Sequence, residues 1–261
     1  MTDRNLGDIY SRRSNEFGPK TYSDQAFTEK IASAIKLRSL PSNARVLDAM
    51  SGPGKLAEML KTQVPNAPAN FHFIDLSPSQ LQKITEGDRV TGDVRHLPYR
   101  PESFDIVYAR YAIKDLPAED QLIAMKELVS SIKGGGAFVL IDMYVQNTVV
   151  LDWLNRQHSM KQEFSGRDIK RDGHCNIRTM QGWIEMLNSS GLSIEAVYMH
   201  LSQVTTTDWL KSNQVSEEQL QMLDEYILSA PPDVIKAFSI RSVDGMVMID
   251  YPTCIIRGEK I

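Results

Sequence analysis

The sequence RVLDAMSGPGKLAEML, residues 45–60, joins an apolar run that ends in an acid to a glycine-containing loop and the start of a helix. Residues 45–49 predict a short buried strand. Gly52 and Gly54 let the backbone approach a ligand closely and adopt positive φ. A helix that begins at about Lys55 offers free N–H groups at its first turn. Because ligands of open parallel sheets bind beyond the carboxyl ends of strands, the stretch predicts a loop that cradles a ligand.

Short apolar strands alternate with amphipathic helices on both sides of this stretch. Upstream, a helix is predicted with Ser23 or Asp24 as its N-cap. Its inward face carries Phe27, Ile31 and Ile35. The predicted strands are residues 45–49, 70–75, 89–94, 103–110, 136–143, 192–201 and 245–258. This alternation is typical of a parallel sheet with both faces covered. We therefore predict an α/β fold with a doubly wound, mostly parallel seven-stranded sheet and helices on both faces.

The chain has no internal repeat, low-complexity tract or long linker rich in glycine and serine. We predict an N-terminal helical lid or leader at residues 1–40 and an α/β domain at residues 41–261. Two helical segments at about residues 204–242 separate the last two strands. They predict a helical cap inserted before the final strand, a position at which insertions often shape substrate pockets.

The composition is that of an ordinary globular protein, with 42% hydrophobic and 24% charged residues. The N-terminus lacks the apolar core of a signal peptide and no apolar run reaches about 18 residues, so we predict a cytoplasmic protein with no membrane partner. The sequence leaves open whether the protein forms a homodimer.

Cys175 and Cys254 lie far apart in the sequence, so no disulfide framework or metal site is predicted. The 29 basic and 33 acidic residues give a net charge of −4, which disfavours nucleic acid and favours a small-molecule substrate.

Two acids beside the glycine loop distinguish between classes of ligand. A dinucleotide-binding loop reads GxGxxG and cradles a pyrophosphate. Asp48, at the end of the first strand, would repel a pyrophosphate but suits an ammonium or sulfonium group. Asp75 lies 21 residues after Gly54, at the end of the second strand, where it can accept both hydroxyls of a ribose. The two acids together predict a ligand with a cationic group and a ribose.

Five short motifs, in order and correctly spaced, resemble the class I S-adenosylmethionine-dependent methyltransferases, especially those acting on small molecules. The motifs are VLDAMSGPG at 46–54, FIDLS at 73–77, GDVRHLPY at 92–99, SFDIVYARYAIKDL at 103–116 and LVSSIKGGGAFVLIDM at 128–143. The resemblance implies a Rossmann-like methyltransferase domain at residues 41–261. It also implies S-adenosylmethionine as cofactor and S-adenosylhomocysteine as product. The sequence departs from the family at Met50, which stands where the family has its first glycine, so the backbone there must accept a Cβ.

The resemblance further implies which residues contact the cofactor. The two loop glycines would line the methionine moiety, Asp75 would hold the ribose and Asp93 would contact the adenine. Ala109 and Arg110, just past the fourth strand, would face the methionine tail and the transfer site. The full set of implied cofactor-binding residues is Asp48, Ala49, Met50, Gly52, Gly54, Asp75, Leu76, Asp93, Val94, Ala109 and Arg110.

Methyl transfer from a sulfonium requires few catalytic side chains. The methyl group is already a strong electrophile, so the protein mainly has to align the acceptor and exclude water. A general base is needed where the acceptor is a hydroxyl or a carbon acid. His158 and His174 flank the polar segment after the fifth strand, and with Arg110 they are the candidate catalytic residues. Ordinary structural roles are the alternative for both histidines.

Residues 156–178 form a locally basic segment in an acidic chain, with six basic and three acidic residues. Guanidinium groups suit a carboxylate or a phosphate. Arg171 and Arg178 are therefore candidate residues for an anionic acceptor, with a solvated loop as the alternative. Tyr22 and Trp209 are candidates for lining the acceptor pocket, with ordinary packing as the alternative.

The sequence thus predicts an enzyme that transfers a methyl group to an O, N or C atom of a small molecule. A protein that binds S-adenosylmethionine without transferring methyl groups stays open, because the implied residues report binding and not turnover. A protein or RNA methyltransferase is disfavoured by ARYA at 109–112, where enzymes acting on planar exocyclic amines carry an NPPY-like motif. A nicotinamide oxidoreductase is disfavoured by Asp48 and by the spacing of the loop glycines.

Overall fold

The computed structural model describes residues 24–65, 67, 69–164, 175–206 and 215–261. The strands are β1 (Ala44–Ala49), β2 (Ala69–Asp75), β3 (Asp88–Thr91), β4 (Phe104–Arg110), β5 (Ile132–Met143), β6 (Leu192–Thr205), β7 (Arg241–Val243) and β8 (Met246–Lys260). The helices are α1 (Gln25–Ile35), α2 (Lys55–Gln63), α3 (Pro78–Leu81), α4 (Ala118–Ser130), α5 (Thr148–Phe164), α6 (Met180–Ser189), α7 (Glu217–Leu228) and α8 (Pro232–Phe238). None of the helices within these ranges has the length and apolarity needed to cross a membrane.

All eight strands form one sheet in the order β3-β2-β1-β4-β5-β8-β6, with β7 paired to β8. Strands β3, β2, β1, β4 and β5 are parallel to one another. β8 runs antiparallel to both β5 and β6. The chain order reverses at β1, which lies between β2 and β4. The predicted doubly wound, mostly parallel sheet is confirmed, and its switch point is at the carboxyl ends of β1 and β4.

Within the described ranges the sheet has eight strands, one more than the predicted seven. The extra strand is β7, three residues that pair with the start of β8 in a hairpin. Asp244 and Gly245 form its turn, with φ angles of 50° and 76°. Asp-Gly favours the two-residue hairpin turn in which both central residues have positive φ. The motif VDGM therefore contained a hairpin signal that the strand-by-strand prediction missed.

Helices cover both faces of the sheet, and their apolar residues form two separate cores. On one face, α1 and α2 bury Ile31, Ile35 and Leu60 against the central strands. Asp24 is the N-cap of α1, and its Oδ1 accepts a hydrogen bond of 2.8 Å from the Phe27 amide. On the other face, α4 and α6 form the second core. These helices hold the central strands rigidly beneath the switch point.

A third apolar cluster joins α5, α7 and α8 to the first half of β8. The Trp153 ring stacks on Tyr226 with centroids 5.5 Å apart and lies 5.6 Å from the Phe238 ring. Phe238 in turn packs edge-on against Tyr251 of β8. The helical insertion before the last strand is therefore part of the fold. The domain boundaries at residues 40 and 204–242 remain predictions, and residues 1–23 lie outside the described part of the chain.

Candidate functional site

A cleft opens at the switch point, beyond the carboxyl ends of β1, β2 and β4 and beside the loop after β3. Its walls include most of the residues that the family resemblance implied. These are Asp48, Met50, Gly52, Asp75, Leu76, Asp93, Val94 and Arg110. They meet because parallel strands bring their carboxyl ends to one edge of a sheet.

Asp75, the last residue of β2, connects the glycine loop to the floor of the cleft. Its Oδ2 accepts a hydrogen bond of 2.8 Å from the Gly52 amide and its Oδ1 accepts one of 2.8 Å from the Ser77 amide. Burial raises the pKa of Asp75, while these backbone donors act in the opposite direction. An ionised carboxylate has about four lone-pair sites. Acceptor sites therefore remain for hydroxyl groups of a ligand.

The two glycines of the loop have different roles. Both have left-handed backbones, with φ of 52° at Gly52 and 70° at Gly54. A Cβ at Gly52 would meet no protein atom within 4 Å, so this glycine faces open space in the cleft. A Cβ at Gly54 would lie 2.9 Å from Cγ1 of Ile84. Gly52 therefore leaves room for a ligand, whereas Gly54 allows α2 to pack closely against its neighbours.

Asp48 places a buried carboxyl at the end of β1. The residue is 3% exposed. Burial raises the pKa of its carboxyl to about 7, against the opposing effects of the Tyr108 hydroxyl and the Arg110 guanidinium. The Tyr108 hydroxyl lies within interaction range, but among the described residues no donor makes a hydrogen bond of normal geometry to Asp48 Oδ2. Such a carboxyl is stabilised in its ionised form by a cationic ligand.

Asp93, in the loop after β3, is held by a residue that the sequence did not single out. Arg95 donates to Asp93 Oδ1 from its backbone amide at 2.8 Å and from its Nε at 3.0 Å. Its Nη1 donates to Asp120 Oδ2 of α4 at 2.8 Å. Burial opposes ionisation of Asp93, but Arg95 outweighs it and holds the pKa of that carboxyl below its usual value. Arg95 therefore fixes one end of the cleft to α4.

Arg110 and Tyr111 line the cleft where β4 ends. The Arg110 guanidinium carbon lies 5.6 Å from the centroid of the Phe27 ring and 5.2 Å from that of Tyr111. The Tyr111 hydroxyl is 3.1 Å from Ser202 Oγ and 3.0 Å from Thr253 Oγ1. Tyr111 lines the cleft and was not among the predicted site residues. It connects the end of β4 to β6 and β8.

A group of charged side chains next to the cleft was also missed by the sequence analysis. Lys114 Nζ lies 2.7 Å from Asp115 Oδ1 and donates to the Tyr111 carbonyl at 3.1 Å. Asp142, at the end of β5, is fully buried and accepts from the Lys114 amide at 3.2 Å. Burial raises the pKa of Asp142 to about 7. Asp115 reaches the cleft wall, so this group brings carboxylate chemistry to the side where β4 and β5 end.

Several predicted residues lie away from the cleft walls. Ala49 and Ala109 are buried in β1 and β4. His158 is on α5, where its Nε2 lies 3.0 Å from Gln162 Nε2. Arg178 donates from its Nε to Gln121 Oε1 at 2.7 Å. The remaining predicted residues lie outside the described part of the chain: Tyr22, Arg171, His174 and Trp209.

The sequence matches the methyltransferase domain family over residues 46–136. A relative, the malonyl-[acyl-carrier protein] O-methyltransferase of Dechloromonas aromatica, is 31% identical over 51% of this chain and 50% of its own length. The uncharacterized methyltransferase YcgJ of Bacillus subtilis is 22% identical over 81% of this chain and 82% of its own length. The chain thus spans about half of the first relative and most of the second.

Solved structures agree over nearly the whole chain. The crystal structure of BH2331 from Bacillus halodurans superimposes with a TM-score of 0.72 at 21% identity, covering 89% of this chain and 99% of that one. The structure of YcgJ gives a TM-score of 0.72 at 17% identity, covering 89% and 98%. These likenesses establish the fold, while the domain match extends from β1 into β5 and includes the glycine loop. Residues 46–136 of the chain therefore match a methyltransferase domain, and the chain as a whole shares its fold with BH2331 and YcgJ.

Proposed function

We propose that this protein binds S-adenosylmethionine in the cleft and transfers its methyl group to an O, N or C atom of a small molecule. The observation that carries the proposal is the arrangement of two carboxyl groups around Gly52. Asp75 retains acceptor sites for a ribose, and Asp48 offers a buried carboxyl to a cation. Gly52 leaves open space between them. The anionic pyrophosphate of a dinucleotide would be repelled by an ionised Asp48.

The remaining residues of the cleft fit the same ligand. Asp93, held by Arg95, supports a role in contacting the adenine. When bound, S-adenosylmethionine supplies a methyl group on a positively charged sulfur. The side chains around it have to fix the ribose and the amino-acid end, orient the acceptor and exclude water. Orientation of two reactants can lower a barrier by about 7–11 kcal/mol in favourable cases.

The small size of the acceptor is supported by relatives named for small-molecule C-methylation in ubiquinone and menaquinone biosynthesis. We further propose that the acceptor enters beside Arg110 and Asp115, which both line the cleft. Arg110 would hold an anionic group of the acceptor. Catalytic roles of His158 and His174, and acceptor contacts of Tyr22, Arg171, Arg178 and Trp209, remain predictions.

Two assays test the proposed function. Calorimetry with S-adenosylmethionine and S-adenosylhomocysteine measures binding. Incubation of the protein with methyl-labelled cofactor and a low-molecular-weight metabolite extract measures transfer. We expect saturable binding and a labelled small product that is absent without protein. Binding without any labelled product would favour the alternative of a protein that uses the cofactor for another reaction. Labelling confined to protein or RNA would contradict a small-molecule acceptor.

We expect the buried carboxyl of Asp48 to make cofactor affinity depend on pH. With a pKa of about 7, Asp48 is about one tenth ionised at pH 6 and half ionised at pH 7. If the cationic cofactor binds the ionised form, affinity should rise about fivefold over this interval. The Asp48→Asn variant should bind more weakly and with no such rise. Calorimetry at matched ionic strength checks both, and a flat profile in the wild type would contradict this role of Asp48.

Asp48 should also affect the pH dependence of stability. Its pKa is raised from 3.8 to about 7, so between these pH values the folded protein holds a proton that the unfolded chain has lost. Its contribution to the free energy of unfolding is therefore largest below about pH 4 and is lost as pH rises to about 7, by at most about 4 kcal/mol. Urea unfolding should show the Asp48→Asn variant gaining stability relative to the wild type over this range. A pH-independent difference would contradict the burial argument.

A further inference from the structure

Two residues in the walls of the cleft have an unusual backbone conformation. Six non-glycine residues in the described part of the chain have positive φ, and of these Met50 and Tyr111 line the cleft, with φ of 56° and 51°. They follow the ends of β1 and β4, which are paired in register at Ala49 and Ala109. Residues with a Cβ rarely adopt this conformation, and such residues are frequent at functional sites.

The conformation of Met50 does not explain why a methionine is present there. Glycine adopts positive φ without strain, so it would satisfy the backbone at this position better than methionine does. The side chain of Met50 is half-buried and packs against the apolar cluster that includes Ile113 and Leu116. The side chain must therefore contribute something that offsets the strain of its backbone.

The position of Met50 along the cleft indicates what it contacts. Strand β1, which carries Asp48, lies between β2, which ends at Asp75, and β4, which ends at Arg110. In the proposed function, the ribose is held at Asp75 and the amino-acid end near Asp48. The sulfonium joins these two parts of the cofactor. Met50, the second residue after Asp48 and the second before Gly52, lines the cleft between the strand ends that would hold these two parts.

We propose that Met50 is a specificity-determining residue that limits the size of the alkyl group on the sulfonium, and this inference rests on the proposed function. Its side chain fills volume that a glycine would leave open next to the sulfur. A methyl group fits against it, whereas an ethyl or allyl group would have to displace a side chain packed on the core. One additional methylene in a close-packed pocket changes affinity by about 10-fold or more.

The test compares the binding of three sulfonium compounds by calorimetry: S-adenosylmethionine and its S-ethyl and S-allyl homologues. We expect the wild type to bind the methyl compound about tenfold or more tightly than the allyl compound. Met50→Gly and Met50→Ala should reduce that ratio to about threefold or less. Met50→Leu, which keeps the volume, should retain the wild-type ratio. Met59→Ala is the matched control, because Met59 is a half-buried methionine of α2 that does not line the cleft.

The outcomes separate this inference from the proposed function. If the wild type binds the methyl compound but the glycine and alanine variants keep the wild-type ratio, Met50 does not set the size limit. If the wild type binds the methyl and allyl compounds equally, the inference is also wrong. If the wild type binds none of the three, the proposed function fails as well. Melting curves complete the test, since failure of both small variants to fold would make Met50 a structural residue.

Discussion

Replacing Asp75 by alanine should weaken S-adenosylmethionine binding about 100-fold or more. The carboxylate is expected to accept hydrogen bonds from the ribose, and it anchors the Gly52 amide of the glycine loop at 2.8 Å. Hydrogen bonds to a charged group contribute about 1.5–3 kcal/mol each, and 1.4 kcal/mol corresponds to a tenfold change in affinity. Calorimetric dissociation constants for the wild type and Asp75→Ala measure the effect directly.

Two variants make this prediction specific. Asp75→Asn keeps one acceptor oxygen, so it should bind more tightly than Asp75→Ala and more weakly than the wild type. Asp88→Ala is the matched control, since Asp88 lies on the neighbouring strand β3, is 80% exposed and does not line the cleft. Its affinity should equal that of the wild type. Equal affinities for Asp75→Ala and Asp88→Ala would contradict the role given to Asp75.

Replacing Trp183 by alanine should lower the free energy of unfolding by about 3–5 kcal/mol, the range found for large aromatic residues in cores. Trp183 of α6 is fully buried, in the core that joins α4 and α6 to the sheet. Its Nε1 donates a hydrogen bond of 2.8 Å to the Met143 carbonyl at the end of β5. The substitution removes both the apolar contacts and this hydrogen bond.

Urea unfolding followed by circular dichroism measures the loss of stability. Trp183→Phe separates the two contributions, because it keeps an aromatic ring but leaves the Met143 carbonyl without this donor. It should cost less than the alanine variant, about 1–3 kcal/mol. An alanine variant as stable as the wild type would show that α6 is not needed to hold β5 in place.

The fold was predictable from sequence because local patterns agree with the tertiary structure. Apolar runs alternate with amphipathic helices from β1 to β5, and β1, most of β2, β4 and the second half of β5 are buried as the pattern requires. The three-residue strand β7 was missed, because it is too short for a periodic pattern and depends on the turn at Asp244 and Gly245. The prediction of secondary structure therefore succeeded where the hydrophobic pattern extends over many residues.

The cleft was predictable only where its residues stand at strand ends. Asp48 and Asp75 could be placed together because parallel strands end at the same edge of a sheet. Arg95 and Asp115 could not be paired with their partners, since Asp120 and Lys114 contact them through loop geometry that one sequence does not specify. The sequence made His158 a candidate catalytic residue, but it could not predict that the His158 Nε2 would lie 3.0 Å from Gln162 Nε2 on the same helix.

The basic segment illustrates a related limit. Local charge made Arg178 a candidate for binding an anionic acceptor, with a solvated loop as the alternative. In the structure its guanidinium donates to Gln121, and its guanidinium carbon lies 5.9 Å from the centroid of the Trp183 ring. A guanidinium forms such contacts as readily as it binds a carboxylate. Local charge excess therefore predicts a cluster of basic residues but not the partner of each one.

The central claim is that the first strand–loop–helix turn binds an adenosyl sulfonium. Calorimetric titration of the wild-type protein with S-adenosylmethionine, run in parallel with NAD⁺, tests it most directly. We expect saturable one-site binding of S-adenosylmethionine and no binding of NAD⁺. Binding of NAD⁺ without binding of S-adenosylmethionine would contradict it.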